Sequence, residues 1–281
     1  MRPLVLKFGG ELLEDRASLA TVVSAVAAIV ERGGSVAIVH GGGKEIDAAL
    51  ERAGIEKRQV DGLRITDPAT LDIVVAVVAG AVNTRFVAAL NAGKVRAVGL
   101  TGADASCGLS DAAAPHRAVD GRMVDLGRVG IPCADMDVRL LHTLMKDGFV
   151  PVVACIGVGR GGDLLNVNAD TLAGHVAATL GARRLVIAGT TAGVLDDGGK
   201  TLPVVDATEI TALVDAGTAS AGMIAKLRAC EHALAGGVDD VVIVDGRSES
   251  ALVGATESAT PSRATRISHA RRMEREALAE R

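Results

Sequence analysis

Short, almost wholly apolar runs alternate with longer Ala-rich stretches along most of the 281-residue chain. The runs at 3–8, 35–40, 95–100, 149–156, 184–189 and 239–245 have strand length and few polar positions, the pattern of strands buried on both faces. The stretches near 17–32, 44–53, 69–92, 135–147, 168–181, 206–216 and 221–235 read as helices. Strand-then-helix repetition predicts an α/β fold, a three-layer sandwich with a central, mostly parallel sheet and helices on both faces. Two segments break the rhythm. Residues 102–132, rich in Gly, Asp, Ser and Pro, read as a loop or hairpin excursion at the sheet edge, and the charged tail 268–281 reads as a solvated helix or frayed end.

Composition narrows the core. Hydrophobic residues make up 49%, yet Trp and Tyr are absent and Phe occurs three times, so Val, Leu, Ile and Ala must fill the interior. The net charge of −4 and the lack of aromatics to stack bases argue against a nucleic-acid partner. The apolar runs read as too short or too interrupted to cross a bilayer, and no signal-peptide pattern precedes Leu4. No membrane partner and a cytoplasmic location are therefore expected. Cys107, Cys133, Cys155 and Cys230 form no C-x-x-C pair and no zinc spacing, so free, mostly buried thiols and no metal site of the protein's own are expected.

Chemistry gathers where apolar runs end in glycine. Lys7-Phe8-Gly9-Gly10 and His40-Gly41-Gly42-Gly43-Lys44 each follow such a run. Glycines let backbone N–H groups approach an anion closely, a helix starting just after adds its positive end, and lysines supply point charges suited to phosphate. The Walker pattern G-x-x-x-x-G-K-[ST] is absent, which places any phosphoryl-transfer chemistry outside the P-loop class. Gly157-Val158-Gly159-Arg160-Gly161-Gly162 matches G-x-G-x-x-G, but residues 171–195 hold no Asp or Glu for a ribose, so a turn is the better reading. Asn166-Val167-Asn168-Ala169-Asp170 sets two amides and an acid at the mouth of an Ala-rich helix, where a cap needs only one. Arg64 lies in a turn-like segment before the 69–92 helix, fit to hold a carboxylate bidentately. Lys226 sits one turn into an apolar helix.

Taken in order, Lys-Phe-Gly-Gly, His-Gly-Gly-Gly, Gly-Leu-Arg-Ile-Thr-Asp, Asn-Val-Asn-Ala-Asp and Gly-Met-Ile-Ala-Lys resemble the amino-acid kinase superfamily, and within it the acetylglutamate kinase family. The resemblance covers roughly residues 3–267. It implies one amino-acid kinase domain with an acyl-amino-acid lobe at about 1–165, a nucleotide lobe at about 166–267, and the tail. It also implies ATP with Mg²⁺, N-acetyl-L-glutamate as acceptor, and a homodimer, for which the 69–92 helix, whose Val and Ala content suits burial, is the expected pairing face. Lys7 and Lys226 match lysines that stabilise the transferring phosphoryl group, and Asp170 the carboxylate that holds them. Gly42, Gly43, Arg64 and Asn166 match acceptor contacts. Nucleotide contacts would fall on Gly9 and Gly10, on Thr190, Thr191, Ala192, Gly193, Val194 and Leu195, and on Thr218, Ala219 and Ser220. Thr190 stands where many relatives carry aspartate, and Ala264 where relatives often have glycine. Only Met1, Arg2 and Pro3 precede the first strand, whereas arginine-inhibited relatives carry a helix there; insensitivity to arginine is the expectation. Two other functions stay open: a sister kinase acting on an aminoadipate side chain, free as the N-acetyl compound or attached to a carrier protein, and a non-catalytic amino-acid sensor of the same fold.

The implied chemistry suits these residues. The acceptor carboxylate is already ionised at pH 7, so no general base is required. The reaction needs charge neutralisation on a loose, in-line transition state, which two lysines and glycine N–H groups can supply.

Overall fold

A computed structural model describes residues 2–118, 120–196, 198–206, 209–210 and 221–268. Its centre is an eight-stranded sheet in the order Val204–Asp206, Ala264–Ser268, Asp240–Asp245, Arg184–Gly189, Leu4–Phe8, Val36–His40, Val150–Ala154, Ala97–Thr101. Every neighbouring pair is parallel except Asp240–Asp245 with Ala264–Ser268. Each of the six predicted runs contributes a strand to this sheet. The other two escape a periodicity reading because one has three residues and the other, Ala-Thr-Arg-Ile-Ser, is half polar.

Strand alternation divides the core in two. Leu4, Leu6 and Phe8 pack on one face with Val22, Val26, Phe86 and Leu252, under the helices Arg16–Glu31, Asn83–Ala92 and Glu249–Gly254. Val5 faces the other side with Ile46, Leu141, Leu172 and Leu227, under Gly43–Arg52, Arg139–Lys146, Ala169–Thr179 and Ala221–Ala235. Lys7, two residues after Val5, faces this second layer by the same period. A three-layer sandwich results.

Three expectations need correction. The 149–156 run is two strands: Val150–Ala154 stays in the large sheet, and Ile156–Val158 starts a second sheet with Leu164–Val167, Val129–Pro132 and Ser110–Ala112. The 102–132 excursion holds the expected hairpin, His116–Arg117 with Met123–Val124, and also supplies two strands of this second sheet, while the glycine-rich stretch before Leu164 is the turn of an antiparallel hairpin. The helix expected over 135–147 spans only Arg139–Lys146, because the Asp137 carboxylate accepts from the Arg139 N–H and starts it late. Most of the 206–216 helix, and all of the tail beyond Ser268, lie outside the described residues.

The third correction concerns the helical stretch Pro68–Ala92. Its 25 residues contain an 18-residue window with a mean hydropathy of 2.0, long and apolar enough to cross a membrane by length and composition. It is nonetheless folded into the domain, with Val74, Val78, Val82, Phe86 and Leu90 buried in the two cores. Asp67 caps it by accepting from the Thr70 N–H at 2.8 Å, and Pro68 occupies the first turn, where a missing N–H costs nothing. Between Ala76 and Val82 the helix widens to a π-helix.

Candidate active site

The strands Leu4–Phe8 and Val36–His40 are parallel neighbours, so their glycine turns emerge side by side at one end of the sheet. A Cβ on Gly10 would sit 2.7 Å from Gly42 Cα and 3.0 Å from Gly43 N. The two loops therefore touch backbone to backbone, an approach that any side chain at Gly10 would break. Gly43–Arg52 begins directly after them, with its unpaired N-terminal N–H groups and dipole at the same spot.

Lys7 is almost wholly buried beneath these loops, and its Nζ lies 2.8 Å from Asp170 Oδ1. Asp170 is placed by a cap: Asn168 Oδ1 accepts from the N–H groups of Asp170 and Thr171 at 2.9 and 3.1 Å, opening Ala169–Thr179. Lys226, on the adjacent helix Ala221–Ala235, reaches the other oxygen of the same carboxylate at 3.6 Å. Burial pushes the Asp170 carboxyl upward, but the two ammonium groups outweigh it and hold it below the usual carboxylate range. Burial likewise pulls the Lys7 ammonium down, and Asp170 outweighs it, so Lys7 sits above its ordinary value. The site therefore carries two cations on one anion, a net positive charge in a desolvated place.

These residues line a cavity of about 290 Å³, open to solvent. Lys7, Gly9, Gly10, Gly42, Gly43, Arg64, Asn166, Asp170 and Lys226, nine positions singled out from the sequence, all face it. Arg64 stands on a hairpin, Gln59–Val60 with Leu63–Arg64, whose turn places Asp61 and Gly62 at positive φ. Its Nη2 donates to Asp47 Oδ1 on Gly43–Arg52, while its buried Nη1 finds no partner among the described residues. Asn166 donates to Thr66 Oγ1 at 3.0 Å. A fixed guanidinium with one edge engaged and one free is arranged to receive a carboxylate.

The 190–195 segment does not line this cavity. It follows Arg184–Gly189, the strand beside Leu4–Phe8, and is tied down on the far side. Val194 N–H donates to Thr265 Oγ1 at 2.7 Å, Gly193 at φ +85° packs against Thr265, and Arg247 donates to the Thr190 carbonyl at 3.1 Å. Thr190, Thr191 and Leu195 remain exposed, whereas Gly193 and Val194 are buried. Thr218, Ala219 and Ser220 lie outside the described residues.

Sequence reasoning missed several groups around the cavity. Glu11 projects its carboxylate against Gly9 and toward Gly189, and its place directly after Gly-Gly was a signal. Asp47 stands four residues after Gly43, one turn into the helix, where a carboxylate can face the site. Cys155 borders the cavity as a neutral thiol, pushed up to about 12 by burial. Gly62 and Leu63, from the same motif as Arg64, also line it, as does Gln59, which nothing in the spacing announced. Among the described residues, no three His, Cys, Asp or Glu side chains gather as a metal site.

A sequence profile described as the amino acid kinase family matches residues 2–245. Acetylglutamate kinase of Parvibaculum lavamentivorans is 40% identical over 258 residues, which cover 90% of this chain and 84% of that protein. Acetylglutamate kinase of Symbiobacterium thermophilum is 43% identical over 257 residues, 90% of this chain and 87% of that protein. Among solved structures, N-acetylglutamate synthase from Neisseria gonorrhoeae superposes with a TM-score of 0.80 at 24% identity. That match covers 95% of this chain and 59% of the synthase. Giardia carbamate kinase superposes at 0.67 with 16% identity, over 95% and 99% of the two chains. The structural matches speak for the fold.

Proposed function

The chain belongs to the amino acid kinase family, among its acetylglutamate kinases, and from that footing we propose that it transfers the γ-phosphoryl group of ATP to the side-chain carboxylate of N-acetyl-L-glutamate. The product is N-acetylglutamyl 5-phosphate, and the step is the second of arginine biosynthesis. The observation that carries this reading is the pair Lys7 and Lys226 on the two oxygens of Asp170, directly beneath two touching glycine loops.

In this reading the acceptor's α-carboxylate meets the free edge of Arg64, and Asn166 hydrogen-bonds its polar groups. The side-chain carboxylate then points to the glycine loops, where Gly42 and Gly43 present N–H groups. Lys7 and Lys226 act on the phosphoryl group in transit. Their charges gain most from contact when negative charge spreads over its oxygens, which favours the transition state over bound substrate. Asp170 keeps both ammonium groups charged and aimed, without touching substrate. Gly9 and Gly10 approach the nucleotide phosphates, and the exposed positions of 190–195 together with 218–220 take the rest of the nucleotide. The acyl phosphate product hydrolyses readily, so exclusion of water by the closed site protects it.

A magnesium ion bound together with the nucleotide would supply charge neutralisation for the phosphates. Asp170 is engaged by the lysines, so Glu11, a lining carboxylate without an ion-pair partner among the described residues, is the acid that suits this ion.

A homodimer forms through Pro68–Ala92. Its exposed positions Ala76, Gly80, Thr84 and Ala88 recur every four residues, and a Cβ on Gly80 would meet nothing within 4 Å. Such a small-residue stripe lets a second copy of the helix approach closely.

An ATP-dependent hydroxamate assay over glutamate, N-acetylglutamate, N-acetylaminoadipate, aspartate and carbamate tests the assignment. N-acetylglutamate should be preferred by several orders of magnitude over free glutamate, because the site's polar groups would otherwise stay unpaired. Equal turnover of the two would remove it. Preference for the aminoadipate compound would move the reading to its sister kinase.

A further inference from the structure

His40 closes the strand Val36–His40 and is fully buried, yet it does not line the cavity. Its Nδ1 lies 3.1 Å from the carbonyl oxygen of Gly41. A carbonyl only accepts, so Nδ1 carries the hydrogen. Burial holds the ring's pKa down at about 4, so the ring is neutral and its Nε2 is left as an acceptor. Asn83, on the long helix behind it, fills that place with its Nδ2 at 3.0 Å. The same Nδ2 lies 3.1 Å from the Val152 carbonyl oxygen, which anchors the amide to the next strand. Phe86 packs edge-on to the imidazole at 6.0 Å. The ring thus has one orientation and one tautomer.

The consequence lies one atom further along the chain. No peptide bond among the described residues is cis, and in a planar trans peptide the C=O and the following N–H point in opposite directions. With the Gly41 carbonyl held toward the buried imidazole, the Gly42 N–H must point away from the core. That N–H donates to no acceptor among the described residues, and Gly42 lines the cavity. We propose that His40 is a positioning residue, whose Nδ1–H pins the Gly41 carbonyl inward and thereby aims the Gly42 N–H at the reacting oxyanion, with Asn83 locking the ring. The role rests on the phosphoryl-transfer reading above. It explains a buried histidine that carries no charge and meets no ligand: a glycine-flanked peptide would otherwise flip at little cost and withdraw its donor.

Two amide replacements separate this role from simple packing. His40→Asn places an amide N–H near the position of Nδ1 and can still hold the Gly41 carbonyl. His40→Gln places its amide near Nε2, keeping the contact to Asn83 and losing the one to Gly41. The expected result is a kcat within about 5-fold of wild type for His40→Asn, and a fall of at least about 10-fold for His40→Gln, below the 10²–10³ of a donor removed outright. KM for ATP should stay within about 3-fold in both. Equal losses in the two variants, or more than half of wild-type kcat in His40→Gln, overturns the proposal. Asn83→Ser, run alongside, leaves His40 in place and frees its ring. It should lower kcat by about 3-fold or more, and an unchanged kcat overturns the locking role even if the glutamine variant fails to fold. All ratios are taken on whichever carboxylate the wild type uses in the five-acceptor panel. A wrong acceptor would therefore show in the panel, and a wrong role for His40 in the ratio.

Discussion

Lys7 Nζ and Asp170 Oδ1 meet at 2.8 Å with both side chains more than nine-tenths buried, and this pair is the point around which the site is built. Asp170→Asn leaves Lys7 charged and buried without its counter-ion, which costs about 3–5 kcal/mol in comparable pairs. The pH dependence follows from the two shifts. Asp170, held below the usual range, contributes stability above the unfolded carboxylate value near 4 and loses it as pH falls through its lower folded value. Lys7, held above its ordinary value, contributes below about 10.4 and loses its share only as pH rises past that. Thermal melts of wild type and Asp170→Asn should thus differ by a constant gap from about pH 5 to 9, closing below about pH 4. A gap that persists unchanged at pH 3 would contradict the pairing.

Lys7→Ala and Lys226→Ala should each lower kcat by about 10²–10³-fold, the effect of removing one transition-state donor. KM for the acceptor should move far less, since these charges matter most in transit. Steady-state kinetics decide it, and retention of more than about a tenth of kcat would make that lysine a bystander.

The two glycines after Phe8 should respond differently to alanine. At Gly9 the added methyl meets the flexible carboxylate end of Glu11, which can swing aside, so stability should change by less than about 1 kcal/mol. At Gly10 it meets the Gly42 and Gly43 backbone, which cannot, and the two loops must part. Gly10→Ala should cost about 1–3 kcal/mol and at least about 10-fold in kcat. Comparable melting temperatures for the two variants would show that the loops are not in fixed contact.

Arg64→Ala should raise KM for the acceptor about 10–100-fold, in line with the loss of a charge-assisted contact, with a smaller change in KM for ATP. Asp47→Asn should raise it less, because the guanidinium stays but loses the partner that aims it. An acceptor KM that is unmoved in Arg64→Ala would place the carboxylate elsewhere.

The proposed dimer predicts that Ala76→Arg or Ala88→Arg, on the exposed stripe of Pro68–Ala92, halves the mass seen by light scattering to that of one 28.5 kDa chain. Both side chains point to solvent within one chain, so each variant should fold. A wild-type chain that runs as a monomer, or charged variants that stay dimeric, would rule out this face.

What the sequence determined by itself is everything that rests on local pattern. Buried parallel strands announce themselves as short Val- and Ile-rich runs, and glycine after such a run marks a backbone that must come close to something. Lys7, Gly42, Arg64, Asn166, Asp170 and Lys226 stood out through the order of their motifs, which resembles the amino-acid kinases; taken singly, a turn arginine or a lysine on an apolar helix reads equally well as a solvated side chain. Short or half-polar elements were not legible. Val204–Asp206 and Ala264–Ser268 are strands because a neighbouring strand offers hydrogen bonds, not because of their own period. Only the tertiary structure decided which groups meet. Asp170 and Lys226 are far apart along the chain, and which of several acids would serve two lysines depends on how the Ala169–Thr179 and Ala221–Ala235 helices pack. Likewise His40 read as part of a glycine motif. Its tautomer, its lock on Asn83 and the peptide it holds exist only because the strand and the long helix press together and exclude water from the contact.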